Sequence, residues 1–304
     1  MSLVETVSWN KRAILPFVVG ICLLISTAWL VTLLDERRSA PERAEQLAYL
    51  PKGEYLRLAV LGYRQVVADL IWLQAVQHIG ARKDTQQGYS WTYHAVDVVT
   101  DLDPSFIAVY QAAGLFLGVL VGHHTEALAI LEKGMQRNPK AWQLPFFAGY
   151  ISYYELCDSS AAGRYFRIAA QVPGSPDYLP RLASRMTAVS GQYAAAMEFL
   201  ERFSRGVSDE RLRESLALRM KEVAQERDIS VLERSVHLYF SKFQRFPSKP
   251  DDLLLSGIIQ QLPSDPFGGH YQIDFVTGKV SVSSRQDRLQ IPEKVSCSAN
   301  GRTP

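Results

Sequence analysis

A repeat of about 35 residues in the middle of the chain constrains its fold more than any other feature. Pro104 and Pro139 lie 35 positions apart, and each closes an amphipathic run with helical periodicity. Two further runs of the same kind follow in phase. The four runs are TYHAVDVVTDLDP, EALAILEKGMQRNP, AAGRYFRIAAQVP and AAAMEFLERFSRG. Because one short helical unit cannot bury its apolar face alone, the pattern predicts helix pairs that stack on one another.

Two kinds of small residue recur within the repeat. An alanine in the second helix allows close approach to the first helix. These alanines are Ala127, Ala162 and Ala196, which are 35 and 34 positions apart. A second position opens the turn between the two helices, where glycine tolerates a positive φ angle. It is occupied by Gly122, Cys157 and Gly191.

This spacing resembles that of the tetratricopeptide-repeat (TPR) family, in its membrane-anchored bacterial type, across Tyr55–Val207. The resemblance implies full repeats at 106–139, 141–173 and 176–206, within a helical domain at 54–227. In the first helix of each pair, the small residue of the family is displaced by one step. The displaced set is Gly114, Gly149 and Ala183, next to Leu115, Tyr150 and Ser184. The expected fold is mainly α, a TPR-like α-solenoid.

The two ends of the helical domain are expected to differ from its middle. An irregular N-terminal repeat has its first helix before Gly80 and its second helix before Pro104, and the polar insert ARKDTQQGYS between them is expected to be a loop. At the other end, residues 209–225 predict a polar terminal helix that covers the last repeat, with Ser208 as its N-cap.

The TPR resemblance also implies a partner-binding surface, because the first helix of each pair lines the concave side in that family. The candidate groove residues are Val109, Phe116, Leu144, Phe147, Ile151, Tyr154, Tyr178, Arg181 and Arg185, with Ala112, Val119 and Ala188 at related positions. Such a surface suits an apolar or amphipathic segment of a protein partner. The alternative is that a flanking segment of the chain, for example the helix before Gly80, fills the surface.

The N-terminal region predicts a membrane anchor. Residues 13–34 carry no charge over 22 positions, which as a helix is close to the ~30 Å of a hydrocarbon core. They are preceded by a tail at 1–12 and followed by a linker at 35–53. The expected location is the bacterial inner membrane, with a single pass into the lipid bilayer and the soluble part in the periplasm.

A helix and a β-hairpin are expected to form a second module at 228–283. One helical face collects Leu232, Val236, Tyr239, Phe240 and Phe243. In LPSDPFGGHYQIDFVTGKV, the carboxylate of Asp265 is expected to cap a corner. The strand residues expected to alternate there are Tyr271, Ile273 and Phe275, opposite Val280 and Val282.

This module resembles the core of the major pseudopilins of type II secretion over Ser230–Ser283, through RFPSKPDDLL and LPSDPFGGHYQI. The chain lacks the prepilin peptidase site and the membrane-helix glutamate of that family, so it is not expected to be a filament subunit. Two roles are open to the hairpin, docking a partner or capping the helical domain. The tail at 284–304 is expected to be disordered.

No pattern in the sequence predicts catalysis, a metal site or a cofactor. His123 and His124 have no acidic or cysteine partner at ligand spacing. Asp101 and Asp103 are interpreted as part of the segment that ends a repeat, and not as a catalytic pair of carboxylates. The charges of Arg64 and Asp69 beside Tyr63 are expected either to pair internally or to contact a partner. The chain is therefore expected not to be an enzyme.

The charge and the cysteine content of the chain exclude some classes of partner and of structural site. A net charge of +2, with both signs interleaved, does not provide the basic stripe of a nucleic-acid binder. Cys22, Cys157 and Cys297 are too few and too scattered for a disulfide framework or a zinc site, and they leave the redox compartment open. The expected function is a membrane-anchored TPR scaffold that assembles a secretion or pilus-like envelope machine. The alternatives are an accessory subunit of an envelope enzyme and a carrier of apolar ligands.

Overall fold

A computed structural model describes residues 20–32, 50–80, 86–284 and 288–289. Over these residues the protein is mainly helical, with one small two-stranded sheet that follows the helices. The expectations of a mainly helical fold and of a C-terminal hairpin are therefore confirmed. The helices from residue 50 onward are α1 Gly53–Ala59, α2 Arg64–Gly80, α3 Gln86–Leu102, α4 Ile107–Leu115, α5 His124–Arg137, α6 Gln143–Tyr154, α7 Ser159–Gln171, α8 Leu179–Val189, α9 Tyr193–Arg205, α10 Glu210–Phe243 and α11 Asp251–Leu255. The strands are β1 Tyr271–Ile273 and β2 Val280–Val282.

The helices pack mainly on their neighbours in sequence. From α2 to α10 each helix contacts the next, and α4–α6 and α8–α10 add contacts between next-but-one helices. The pairs α4–α5, α6–α7 and α8–α9 fall within the three predicted repeats. A π-helical turn, Phe116–Val121, extends α4 toward the connection with α5. The helix-pair period is thus confirmed over these residues.

The turn inside each pair has the left-handed backbone that the recurring residue predicts. The φ angles of Gly122, Cys157 and Gly191 are 80°, 56° and 83°. Two of the three positions are glycines, which adopt this region without steric cost. Cys157 adopts it with a side chain.

Close contact between paired helices depends on the displaced small residues. A Cβ atom added to Gly114 would lie 2.8 Å from Leu131, and one added to Gly149 would lie 2.7 Å from the Phe166 ring. Ala127, Ala162 and Ala196 are fully buried. The predicted role of these small residues in helix packing is confirmed.

The N-terminal repeat differs from the prediction in two ways. Its first helix is broken into α1 and α2 because Leu61 and Gly62 have φ angles of 44° and 96°, which end an α-helix. The expected loop at 81–90 is wrong in its second half, because α3 begins at Gln86. Residues 81–85 lie outside the described residues.

One continuous helix, α10, replaces the two helices expected on either side of residue 228. No glycine or proline interrupts its 34 residues, so the ladder of backbone hydrogen bonds continues. The helix carries Leu216 and Val223 into one buried cluster, and Leu232 and Val236 into the next. The N-cap is Asp209 and not Ser208, since the Asp209 carboxylate accepts a bond from the Leu212 N–H at 2.7 Å.

The C-terminal hairpin is antiparallel, with Tyr271 opposite Val282 and Ile273 opposite Val280. The strand is shorter than expected, because Phe275 lies in the turn and is 68% exposed. The Asp274 carboxylate accepts bonds from the Val276 N–H and the Thr277 hydroxyl, which closes the turn early. The buried side of the hairpin packs against α10.

The corner before the hairpin has the predicted cap. The Asp265 carboxylate accepts bonds from the N–H groups of Phe267 and Gly269, at 3.2 and 2.8 Å. It also accepts bonds from the Gln225 amide, at 2.7 Å, and from the Ser284 hydroxyl. The corner is thus tied both to α10 and to the chain that leaves the hairpin.

The expectation of disorder from residue 284 onward is wrong for every tail residue that the structure describes. Ser284 bonds Asp265, Arg288 forms ion pairs, and Leu289 is 6% exposed. The reason is chemical, because two carboxylates on α10 offer partners to Arg288. Residues 285–287 and 290–304 lie outside the described part.

The predicted membrane span is only partly described. Residues 20–32 are helical, and those at 21–32 are exposed, whereas residues 13–19 and 33–34 fall outside the description. Within the described ranges, none of the helices is both long and apolar enough to cross a bilayer. The linker predicted at 35–53 is described only from Leu50 onward, where α1 already begins at Gly53.

Candidate functional site

The nine candidate groove residues divide into a buried group and an accessible group. Those in the hydrophobic core are Val109, Phe116, Leu144 and Ile151, all at most 8% exposed. Helix periodicity explains the division, because the same helix turns both a core side and an outer side within four residues. The accessible group is Phe147, Tyr154, Tyr178, Arg181 and Arg185. We call these five residues the tyrosine–arginine face.

The C-terminal end of α6 supplies the aromatic part of this face. Tyr154 is 60% exposed, and its ring packs 4.6 Å from Tyr150 and 4.9 Å from Tyr153 between centroids. Tyr178, which immediately precedes α8, is 51% exposed. Large aromatic rings with a polar tip are frequent anchors in protein–protein contacts, because they bury area at low entropic cost.

Helix α8 supplies two cations. Burial and the nearby Tyr154 raise the pKa of Tyr153, while the positive charge of Arg185 opposes that rise. The Arg181 Nε atom is buried without a hydrogen bond to any described group. The face therefore combines phenol rings in tilted and edge-to-face contact with guanidinium groups, and it suits carboxylates, carbonyl groups and apolar side chains.

A part of the chain's own C-terminal segment already contacts this face. Arg185 donates a hydrogen bond from Nε to the Leu289 carbonyl at 3.3 Å. Leu289 packs in the same apolar cluster as Tyr153 and Ala188. A flanking segment of the chain therefore contacts this face at Leu289, as the alternative hypothesis expected. This segment follows the hairpin and is not the helix before Gly80.

Two carboxylates of α10 hold this segment in place. Arg288 contacts Glu226 at 2.6 Å and Glu233 at 2.7 Å, and the Leu289 N–H donates to Glu226 at 3.2 Å. Burial alone would lower the pKa of Arg288, but hydrogen bonds to these carboxylates and their charges outweigh it and raise the pKa. Sequence reasoning missed Glu226, Glu233 and Leu289, because sequence spacing does not show that residues about 60 positions apart meet.

Cys157 forms a disulfide bond, whereas Cys22 is a free, exposed thiol. Cys157 lies three residues beyond Tyr154, at the turn position that glycine occupies in the other two pairs. A single disulfide bond is not a disulfide framework. The bond at Cys157 is therefore compatible with the expectation that the three cysteines form no such framework. The sequence signal for it was present but weak, namely a cysteine in place of a recurring glycine.

The other clusters noted in the sequence have structural roles. Lys133 pairs with Asp97 at 2.6 Å and with Asp101 at 2.8 Å, which joins α5 to α3. Asp103 accepts bonds from the backbone N–H and hydroxyl of Ser105, so it caps the turn before α4. These carboxylates are engaged in packing and not in an open site.

Two further candidates are placed apart from this face. His123 and His124 are half-buried, not exposed as their turn position suggests, and His123 lies 3.9 Å from Glu126. Arg64 and Asp69 are both exposed and form no ion pair with each other. Their spacing of five positions places them on different sides of α2.

Over the described ranges, no group of three or more His, Cys, Asp or Glu side chains is arranged to hold a metal ion. One open pocket of about 290 Å³ lies between α7 and α9. It is lined by Gln171, Phe199, Arg202, Phe203, Gly206 and Val207. This lining holds one cation and no carboxylate, thiol or imidazole, so it lacks an acid–base pair for catalysis.

Comparison of the chain with protein-family models, with curated proteins and with solved structures finds no match.

Proposed function

We propose that this protein is a non-enzymatic, membrane-anchored scaffold of the tetratricopeptide type that holds a protein partner on its tyrosine–arginine face. The observation that carries the proposal is the exposure of Tyr154 and Tyr178 on a rigid stack of helix pairs, next to Arg181 and Arg185. Exposed aromatic rings beside guanidinium groups are the residue types enriched at protein interfaces.

The regular helix-pair period supports the repeat assignment. Each pair has one turn residue with positive φ, a glycine lies in close contact with the facing helix in α4–α5 and in α6–α7, and each pair packs on the next. Stability in such stacks comes from neighbouring units, which leaves one continuous side available for binding. The C-terminal hairpin, with its capped LPSDPFGG corner, favours a secretion or pilus-like machine as the setting.

The surface of α1 and α2 supports a location at a membrane. Helix α2 buries Ala68, Ile71 and Ala75 against α3, yet it also exposes a second apolar stripe. This stripe, continued from α1, consists of Tyr55, Leu58, Leu61, Tyr63, Val66, Leu70, Leu73 and Val76, all at least 43% exposed. A helix that is apolar on both sides needs a cover on each side. Its nearness in sequence to the uncharged segment 13–34 makes the bilayer surface the natural cover.

The disulfide at Cys157 supports export of the helical domain. Structural disulfides persist in oxidising compartments such as the periplasm and are rare in a reducing cytosol. This argument is independent of the balance of charges around the anchor, which does not decide the orientation.

Site-specific photocrosslinking tests the proposed scaffold role. A photoreactive phenylalanine at Tyr154 or Tyr178 is expected to give a discrete adduct with one protein in living cells. Arg202, which has a 67% exposed side chain on α9, is the matched control position and is expected to give none. Adducts of equal yield at all three positions, or none at Tyr154 and Tyr178, would contradict the proposal.

A further inference from the structure

We propose that the C-terminal end of α10 and the tip of the hairpin together bind the surface of a bilayer that contains anionic phospholipid. This surface combines exposed apolar side chains with lysines. Its members are Phe240, Phe243, Phe275, Val276, Lys242, Lys249 and Lys279, and we call them the phenylalanine–lysine end. The contact rests on the proposed location at a membrane, but it does not require the proposed protein partner.

Contacts between α10 and the hairpin make this end one continuous surface. The Phe240 ring stacks on the Phe246 ring, with 4.5 Å between their centroids. Gly278, in the turn of the hairpin, lies against the same ring, because a Cβ atom added to it would be 2.6 Å from Phe246. Phe243 follows Phe240 by three positions and is its neighbour on the helix surface. The end of the helix and the tip of the hairpin therefore meet at Phe246.

The apolar tip of the hairpin is held open to solvent. Phe275 and Val276 are each 68% exposed, and neither belongs to the buried cluster between α10 and the hairpin. The turn that carries them is fixed, because the Asp274 carboxylate accepts bonds from the Val276 N–H and the Thr277 hydroxyl. A fixed turn that presents a phenyl ring and a valine to solvent has the character of an interaction site.

The cations of this end are free to meet an anionic surface. Lys242, Lys249 and Lys279 are all exposed, and none of them forms an ion pair with a carboxylate in the described part of the chain. The Lys242 Nζ atom lies 5.3 Å from the centroid of the Phe243 ring. A lysine in this position lays its aliphatic stem along the apolar group and keeps its charge in the polar layer.

The carboxylates of the same segments are mostly engaged by the backbone. Asp252 accepts bonds from the N–H groups of Ser248 and Lys249, at 2.8 and 3.3 Å. Asp274 closes the hairpin turn in the same way, and Asp251 is exposed at the start of α11. The lysine ammonium groups are therefore the main polar groups that this end offers to a ligand.

The residue types favour a bilayer over a protein as the ligand. Lysine is depleted at protein interfaces, where tryptophan, tyrosine and arginine supply most of the binding energy. Phenylalanine beside lysine is typical of segments that lie in the headgroup region, with rings at the acyl boundary and ammonium groups near anionic lipids. The tyrosine–arginine face has the composition of a protein interface instead. The two surfaces thus suit different ligands.

Photocrosslinking to lipid tests this contact. A photoreactive phenylalanine replaces Phe275 in the full-length protein, which is reconstituted into vesicles of phosphatidylcholine alone or of a 3:1 mixture with phosphatidylglycerol. We expect an adduct of the protein with one phospholipid, in several-fold higher yield with the mixture. The control position is Leu218, which is 47% exposed and lies about 33 Å before Phe240 along α10. It is expected to give no adduct.

Removal of charge tests the role of the lysines. The test variant combines Lys242→Gln, Lys249→Gln and Lys279→Gln, and it is expected to reduce the adduct yield several-fold without a change in thermal unfolding. The matched control removes three exposed cations elsewhere, at Lys140, Arg205 and Arg211. It is expected to leave the yield unchanged.

Four results would overturn the proposal. They are equal yields with and without phosphatidylglycerol, equal yields at Phe275 and Leu218, a lysine variant that behaves like its control, and a protein adduct in place of the lipid adduct at Phe275 in cells.

Failure of this contact is distinguishable from failure of the proposed function. Flotation with phosphatidylcholine vesicles reports on the anchor at 13–34, and crosslinking at Tyr154 reports on the protein partner. A protein that floats with both kinds of vesicle but gives no lipid adduct at Phe275 would overturn the contact of the phenylalanine–lysine end alone. A protein that floats with neither would contradict both proposals.

Discussion

At the scale of single residues, the helix pairs depend on positions where almost any side chain is too large. Gly149 meets the edge of the Phe166 ring, and Gly163 meets the hydroxyl and backbone of Thr187 on the following helix. These contacts join α6 to α7 and α7 to α8. A repeat of helix pairs can therefore be weakened at one atom, because the first contact holds one pair together and the second joins that pair to the next.

Substitution of Gly149 by alanine is expected to destabilise the protein. The new Cβ would lie 2.7–3.0 Å from three atoms of an aromatic ring that cannot bend away. We expect the free energy of unfolding to fall by about 1–2 kcal/mol, despite the better helix propensity of alanine. The measurement is denaturant unfolding followed by circular dichroism.

Gly206→Ala is the matched control for that experiment. Its nearest neighbour is a carbonyl oxygen at 3.6 Å, an ordinary contact, and its φ is −89°. We expect a change within about 0.5 kcal/mol. A Gly149→Ala protein as stable as the control would contradict the packing described for α6 and α7.

Asp265 links acid stability to the hairpin corner. Burial tends to raise its pKa, but the bonds from Ser284, Phe267, Gln225 and Gly269 outweigh burial and lower it. Because the folded pKa lies below the unfolded one, the stabilisation is present above the unfolded pKa. It is lost as the pH falls through the folded pKa.

Asp265→Asn is expected to lower the free energy of unfolding at pH 7 by about 1–3 kcal/mol, since the bonds to the carboxylate are weakened. The loss of stability on acidification from pH 5 to pH 3 is expected to be smaller than in the unchanged protein. Unfolding curves across that pH range measure both effects. Asp177→Asn, at an exposed position before α8, serves as control, and an Asp265→Asn protein with an identical pH profile would contradict the role of this carboxylate.

At the scale of elements, α10 joins two buried clusters that the sequence suggested were separate modules. Leu216 and Val223 pack with α8 and α9, and Ile229 and Leu232 pack with the hairpin. A single helix between two cores transmits the unfolding of one core to the other. We therefore expect the helical pairs and the hairpin to unfold together.

A helix break at Arg227 tests this coupling. Arg227→Pro removes a backbone hydrogen bond in mid-helix, at a cost of about 3 kcal/mol or more. The side chain is 51% exposed, so Arg227→Ala is a control that keeps the helix. We expect one calorimetric transition for the alanine variant and two for the proline variant. Two transitions in the unchanged protein would contradict the coupling.

The sequence predicted the elements with strong periodicity and missed contacts that join distant positions. The helix pairs from Ile107 to Arg205 follow from proline, glycine and alanine spacing, and the corner at Asp265 follows from local turn chemistry. The continuity of α10 was missed because polar residues at 225–228 look like a boundary, although in the structure they bond the hairpin and the tail.

The sequence also failed to show which residues of the candidate site are buried and which distant residues contact them. The family resemblance placed the candidate residues on the first helix of each pair, but it did not separate Leu144 and Ile151, which are buried, from Tyr154, which is exposed. That separation depends on which side of α6 meets α4 and α7. The contact between Arg185 and Leu289 spans 104 positions, so no local pattern indicates it.

At the scale of the whole molecule, three features point to one arrangement at a membrane. An uncharged segment precedes the helical domain, an apolar stripe on α1 and α2 follows that segment, and Cys157 within the domain forms a disulfide. An exported scaffold has each of these features for a reason. In the proposed arrangement, the tyrosine–arginine face lies on the outer side of the inner membrane.

Labelling of thiols in spheroplasts tests this account most directly. We expect a membrane-impermeant maleimide to leave Cys157 unmodified in intact spheroplasts, and to modify it after an impermeant phosphine reduces its disulfide bond. The protein is expected in the membrane fraction throughout. Modification that needs a permeabilised membrane, or that occurs before reduction, would contradict the exported, disulfide-held scaffold.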